Sequence, residues 1–388
     1  MRWTQEIDAL HEEAAASRGH EDFGTDDYRE ALGVLCQSVE AEARLTPAGE
    51  LALRAMLVDA LSARLDCEAG WAAYPAAAVQ KVDAPIVIVG LPRTGTTALH
   101  HLIAQDPGLQ SLEHWLMRAP KPRPAPPDWP ADPDFQAAHA RLEALFGRSP
   151  DMKAIHEIEA PLPDECWNLF SQTFLHSSWE ANFDVPTFAR WWADQDLDVA
   201  YQRHRRNVQL IGQGGPPRRW VFKDATHLFD LDALLRTYPD ALIVQTHRDP
   251  VALIPSVCSL CASARSPLNA SLDPEAFGAS TLELWARGID AMMQARARHP
   301  EVTFYDLSFE AFLADPIAAI AGIYDHFGLT LSAEAETTMR RFRDARPKGR
   351  HGQHRYRLED WGLQADEIRD RFKVYTQTYD VRPEPEPT

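Results

Sequence analysis

The octapeptide GLPRTGTT, Gly90 to Thr97, has the composition of a phosphate-binding loop. Its two glycines allow a tight turn and close backbone approach to an anion, and Thr96 and Thr97 stand where a helix begins. Amide N–H groups, hydroxyls and the helix dipole then converge on one phosphate. A triphosphate-binding loop of the form G-x-x-x-x-G-K-[ST] has lysine where this chain has Thr96. The nearest cation is instead Arg93, inside the loop. A second group, THRDPVALIPS, puts Arg248 at the end of an apolar run and Ser256 eight residues later, in the helix expected to follow. The pair offers a second anion site. HRD here is not a protein-kinase catalytic loop, because the asparagine required five residues after Asp249 is absent.

The flanking pattern says which elements hold these residues. IVIVG, ended by Gly90, reads as a buried parallel strand, with the helix TALHHLIAQD directly after the loop. RWVFKD near 219–224, ALIVQTHRD near 241–249 and VTFYDL near 302 read as further strands separated by helical segments. The expected fold is α/β: a P-loop-like, doubly wound parallel sheet flanked by helices, whose ligands bind beyond the carboxyl ends of the strands. Residues 1–80 have helical spacing and form an N-terminal helical segment, and 81–375 form the main domain. Residues from about 119 to 215 form a helical insertion. It opens on APKPRPAPPDWPADP, where seven of fifteen residues are proline, which excludes regular helix and predicts an extended arm. Six of the 11 tryptophans (Trp115, Trp129, Trp167, Trp179, Trp191 and Trp192) lie in this region, as the insertion's own core or as an apolar pocket lining. The Pro- and Glu-rich end, 376–388, is expected to be disordered.

Composition narrows the function classes. A net charge of −18 repels nucleic acid and anionic lipid, so neither is an expected partner. The start MRWTQEIDALHEEAAASRG carries scattered charges and has no signal-peptide core. No apolar run reaches the ~18 residues of a membrane span, so a cytoplasmic location is expected. Cys258 and Cys261 are one C-x-x-C without a second pair, and are expected to pack as small apolar residues.

PIVIVGLPRTGTTALHHLIAQDP and HRDPVALIPSV together resemble the sulfotransferase superfamily that uses 3′-phosphoadenosine 5′-phosphosulfate (PAPS), specifically the bacterial branch of the cytosolic type. KDATHLFDLDALLRTYPDA and RPKGRHGQHRYRLEDWGL also resemble family segments. The resemblance implies that Arg93, Thr94, Gly95, Thr96 and Thr97 hold the 5′-phosphosulfate and that Arg248 and Ser256 hold the 3′-phosphate. Lys348, Gly349 and Arg350 match the late basic segment over the 3′-phosphate, and His227 matches the histidine base. The chain departs from the animal enzymes in having Arg93 in place of lysine, a longer Lys223-to-His227 spacing and Phe309 in place of tyrosine. Pro255, just before Ser256, is expected to disturb its helix.

Sulfuryl transfer suits these residue types. Arg93, the loop amides and Lys223 can stabilise charge on the leaving bridge and the sulfuryl oxygens, and a neutral histidine can take the acceptor's proton. No metal is required, whereas phosphoryl transfer would want Mg²⁺ and the missing lysine. His156 is the main rival to His227 as base, with the insertion lining the acceptor site, and His100, His101, His351 and His354 are lesser candidates. The implied acceptor is a small molecule, a hydrophobic alcohol, phenol or lipid, or less readily an amine. Two other readings remain: a P-loop kinase using ATP and Mg²⁺ held by Asp224 or Asp249, and a nucleotide-binding protein without catalysis.

Overall fold

The structure, a computed structural model, describes residues 2–148, 157–346 and 356–385. Its centre is a five-stranded parallel sheet of order β2-β3-β1-β4-β5, with β1 Ile86–Gly90, β2 Leu109–Ser111, β3 Arg219–Lys223, β4 Leu242–His247 and β5 Phe304–Ser308. Four strands lie where the apolar runs predict them. The three-residue edge strand β2 was not foreseen, since LQS is too short to show alternation.

β1 is buried along its whole length, so both faces are apolar. Val87 and Val89 face the core shared with the N-terminal helices and the insertion, while Ile86 and Ile88 face Leu99, Ile103, Ile317, Ile320 and Ile323. The order places β3 and β4 on either side of β1. The sequence motifs end on these three neighbouring strands, and the switch between them opens a crevice at the sheet's carboxyl edge.

The N-terminal segment contains helices Ile7–Arg18, Arg29–Glu42 and Pro47–Ala73. Thr46 starts the last by accepting from the Gly49 N–H at 3.0 Å, with Pro47 at the first helical position. Arg64, from the middle of that helix, is fully buried. It pairs with Asp27 at 2.6 Å and donates to the carbonyls of Phe23, Thr25 and Gln172. One guanidinium thus ties the N-terminal helices to the insertion. Trp115, Trp179 and Trp192 are buried in the core that the insertion shares with the N-terminal helices and the sheet. The proline-rich arm is extended at first but closes in a 3₁₀ turn, Pro126–Ala131.

Two local expectations are corrected. Helix Pro250–Arg265 continues through Pro255 and carries Ser256 in register. The C-terminal tail does not begin at 376, because helix Lys373–Thr378 includes that residue and the chain then runs back to the sheet edge. Cys258 and Cys261 are free thiols, and burial pushes both up to about 12. Among the described residues no helix is long and apolar enough to cross a membrane.

Candidate functional site

The loop after β1 is shaped by contacts that leave no room for a side chain at its start. A Cβ on Gly90 would sit 2.2 Å from Thr246 Oγ1. Thr94 Oγ1 donates to the Leu91 carbonyl at 2.7 Å and meets Thr246 Oγ1 at 2.6 Å. Thr94 is therefore consumed in holding the loop against β4. Arg93 takes φ +69 and Gly95 φ +85, and Thr96 opens helix Thr96–Ile103. These two left-handed residues wrap the backbone round the helix N-terminus, the geometry of an anion cradle.

The second motif lies against the first. Arg93 Nε donates to Ser256 Oγ at 3.2 Å, and Arg248 Nη1 donates to the Arg93 carbonyl at 2.8 Å. Burial lowers the Arg93 pKa from its usual value, and the neighbouring Arg248 lowers it further. The Arg248 guanidinium lies 4.2 Å over the Phe309 ring. Its remaining edge is gripped by Glu384, with Nε to Oε1 at 2.8 Å and Nη2 to Oε2 at 2.9 Å. The Glu384 N–H donates to Asp249 Oδ2 at 2.8 Å, while Asp249 Oδ1 caps the N–H of Val251. A carboxylate from the tail thus sits where the sequence expects a phosphate.

On the other side of the loop, β3 delivers Lys223. Its Nζ donates to Thr97 Oγ1 at 3.0 Å and to the Glu165 carboxylate. Glu165 is brought there by the insertion, because the Cys166 N–H donates to the Lys223 carbonyl at 3.1 Å. Asp224, next along, caps Thr226 through Oδ1 at 2.7 Å. Burial and the nearby Glu165 raise its pKa to about 7.

His227 follows in the 3₁₀ turn Ala225–Leu228, where its Nδ1 shares a 2.7 Å hydrogen bond with the Tyr201 hydroxyl. Its Nε2 is buried with no partner among the described residues. Burial, with His204 and Lys223 adding to it, holds its pKa well below 6.5, so the ring is neutral. His227 is 1% exposed, whereas the Glu165 side chain keeps 24% of its surface. Of the two proton acceptors beside Lys223, Glu165 is the accessible one. His100 and His101 are both buried on the loop helix, and His101 meets the Pro163 carbonyl at 3.0 Å.

The structure brings Arg93, Thr96, Thr97, Lys223, Arg248 and Ser256 to one edge of the sheet, with His227 buried close enough to Lys223 to feel its charge. His156, Lys348, Gly349, Arg350, His351 and His354 lie outside the described residues. Sequence reasoning missed two contributors. Glu165 is 58 residues before Lys223 and only the fold joins them; Glu384 sits in a stretch with the composition of a disordered tail.

A family model described as Sulfotransferase family matches residues 85–334. The crystal structure of sulfotransferase STF1 from Mycobacterium tuberculosis H37Rv superposes with a TM-score of 0.88 at 39% identity, covering 96% of this chain and 100% of that one. Sulfotransferase STF9 from Mycobacterium avium gives 0.89 at 27% identity, covering 97% of each chain. Among curated proteins, omega-hydroxy-beta-dihydromenaquinone-9 sulfotransferase Stf3 of Mycobacterium bovis is 26% identical over 271 residues, 64% of this chain. The chain spans 63% of that relative's length. The motifs after β1 and β4 fall inside the matched region, and the chain belongs to the sulfotransferase family.

Proposed function

We propose that the protein transfers a sulfuryl group from PAPS to the hydroxyl of a hydrophobic small molecule. The observation that carries this is the row of groups along the sheet edge. Glu165, Lys223 and Thr97 are bonded in series at one end, and Arg93, Ser256 and Arg248 at the other. A bisphosphorylated donor with a reactive terminal group matches a site with two anion grips and a base beyond one of them.

In this assignment the loop amides, Thr96 and Thr97 hold the 5′-phosphosulfate, and Ser256 and Arg248 hold the 3′-phosphate. Glu165 takes the proton of the acceptor hydroxyl. The acceptor oxygen forms a bond to sulfur as the bond from sulfur to the 5′-phosphate oxygen breaks, and the electron pair stays on that phosphate. Lys223 faces the sulfuryl oxygens and Arg93 the leaving phosphate, so both cations meet charge that grows in the transition state. His227 is neutral and tied to Tyr201, and is too buried to meet the acceptor. A relative that acts on an omega-hydroxy menaquinone supports a lipid-like alcohol as acceptor.

The kinase reading needs Asp224 or Asp249 to hold Mg²⁺. Asp249 spends both oxygens on the N–H groups of Val251 and Glu384, and Asp224 spends one on Thr226. Thermal unfolding with different ligands decides between the two readings, since a ligand at ~100 times its Kd stabilises by about 2.7 kcal/mol. Adenosine 3′,5′-bisphosphate is expected to raise Tm, and ATP plus Mg²⁺ to leave it nearly unchanged. The opposite pattern would establish the kinase.

The Glu384 contact leads to a further expectation. A 3′-phosphate on Arg248 must displace a bidentate carboxylate. Glu384→Gln should therefore bind adenosine 3′,5′-bisphosphate about 3- to 10-fold more tightly in calorimetry, an ion pair that keeps some contact with solvent being worth roughly 1 kcal/mol. An unchanged or weaker Kd would mean that Glu384 orients Arg248 instead of competing for it.

A further inference from the structure

Glu165 lies on a stretch that is neither helix nor sheet strand, between the turn at Ala160 and the helix that begins at Trp167. Groups on loops are held less precisely than groups on strands, and a misplacement of about 1 Å can cost roughly 100-fold in rate. A base placed there needs support from its surroundings. We propose that His114 is a positioning residue for the transfer reaction, which through Asp164 sets where the Glu165 carboxylate meets Lys223. The proposal rests on Glu165 being the base.

The chain that leaves β2 runs alongside this stretch. Glu113 and Pro163 form an antiparallel bridge, with the Asp164 N–H donating to the Leu112 carbonyl and the His114 N–H to the Leu162 carbonyl, each at 3.0 Å. The Trp115 N–H reaches the Ala160 carbonyl at 3.3 Å. The stretch is therefore extended around Pro163, and successive side chains of extended chain leave on opposite faces. The contacts agree, since Asp164 meets His114 while Glu165 meets Lys223.

His114 opens the helix His114–Arg118, and its Nδ1 lies 2.8 Å from Asp164 Oδ2. Both side chains are buried, 5% and 7% exposed. An ionised carboxylate only accepts, so Nδ1 carries the proton and donates it. Pairs buried in this way add little net stability over apolar residues of the same volume. What this one adds is direction. A backbone ladder leaves the stretch free to twist, and a buried side-chain bond one residue before Glu165 removes that freedom. Two further bonds fix the ends. His101, from the helix that opens at the phosphate loop, donates through Nε2 to the Pro163 carbonyl at 3.0 Å, and the Cys166 N–H donates to the Lys223 carbonyl at 3.1 Å. The base is thereby registered against both the loop helix and β3.

The test replaces the whole pair, because removing one member leaves a buried polar group behind. In crystals of the full chain carrying His114→Leu and Asp164→Leu, the Glu165 carboxylate is expected to have left Lys223 Nζ. A retained contact would overturn the proposal. The single-turnover rate of this variant with PAPS and 1-dodecanol should fall about 10- to 100-fold, while the Kd of adenosine 3′,5′-bisphosphate stays within about 3-fold of the parent. His114→Asn keeps a donor near the place of Nδ1 and should recover most of that rate. In a Glu165→Gln background the pair change should cost no more than about 3-fold further, because residues that act through one group are not additive. A parent-like rate, a parallel loss of bisphosphate affinity, no recovery in His114→Asn, or an equal loss in the Glu165→Gln background would each count as refutation. Should the double variant unfold, Asp164→Leu alone leaves only an imidazole unpaired and carries the same expectations. The two readings fail separately. A parent-like rate in Glu165→Gln removes the base and this proposal with it, whereas a large loss there with none in the pair variant removes only the role of His114. If 1-dodecanol does not react with the parent, the result counts against the proposed acceptor and the crystal comparison still decides the positioning.

Discussion

Lys223→Ala is expected to lower the single-turnover rate of sulfuryl transfer by about 100- to 1,000-fold, the loss seen when one preorganised donor to a transition state is removed. The effect should fall on the chemical step. Lys223 Nζ touches Thr97 Oγ1 and the Glu165 carboxylate, whereas the 3′-phosphate grip is made by Arg248 and Ser256 beyond Arg93. The Kd of adenosine 3′,5′-bisphosphate should therefore stay within a few-fold of the parent. Lys223 is 2% exposed and its loss leaves Glu165 without its cation, so the variant's Tm needs to be recorded alongside. A rate within 10-fold of the parent in a folded variant would remove Lys223 from the catalytic machinery.

Glu165→Gln should cost about 100- to 10,000-fold in kcat, the range attributed to a positioned general base. Glutamine keeps the shape and still accepts from Lys223, so what is lost is the capacity to take a proton. His227→Asn is the matching experiment. A ring whose pKa burial holds well below its usual 6.5 is already neutral at pH 7, so activity that depended on it would be flat with pH above neutrality. A larger loss in His227→Asn than in Glu165→Gln, with such a flat profile, would return the role of base to the histidine and make Glu165 a partner that only positions Lys223.

The division between what sequence showed and what it hid follows from the range of the interactions. β1, β3 and β4 are legible because strands buried on both faces must be continuously apolar, and the residues ending them lie at fixed offsets from those runs. Arg93, Lys223 and Arg248 could therefore be placed at one edge before any coordinates. β2 was hidden because three residues are too few to show a pattern, even though Leu109 and Ser111 are buried. Glu165 was hidden for a different reason. It reaches Lys223 through a backbone hydrogen bond between Cys166 and β3, a contact set by how a hundred-residue insertion folds back. Glu384 was misread because proline and glutamate content argues for disorder only while nothing nearby needs a carboxylate, and Arg248 does.

Arg93 combines two demands at one position. Its backbone sits at φ +69, a conformation that costs a residue with a Cβ roughly 1–2 kcal/mol and costs glycine almost nothing. Its side chain supplies the cation that the loop otherwise lacks. Glycine at this position would relieve the backbone strain but would give up the hydrogen bond to Ser256 and the cation. On the proposed function such a variant is expected to lose transfer whatever its Tm, so residue 93 is one that a screen for thermal tolerance should hold fixed.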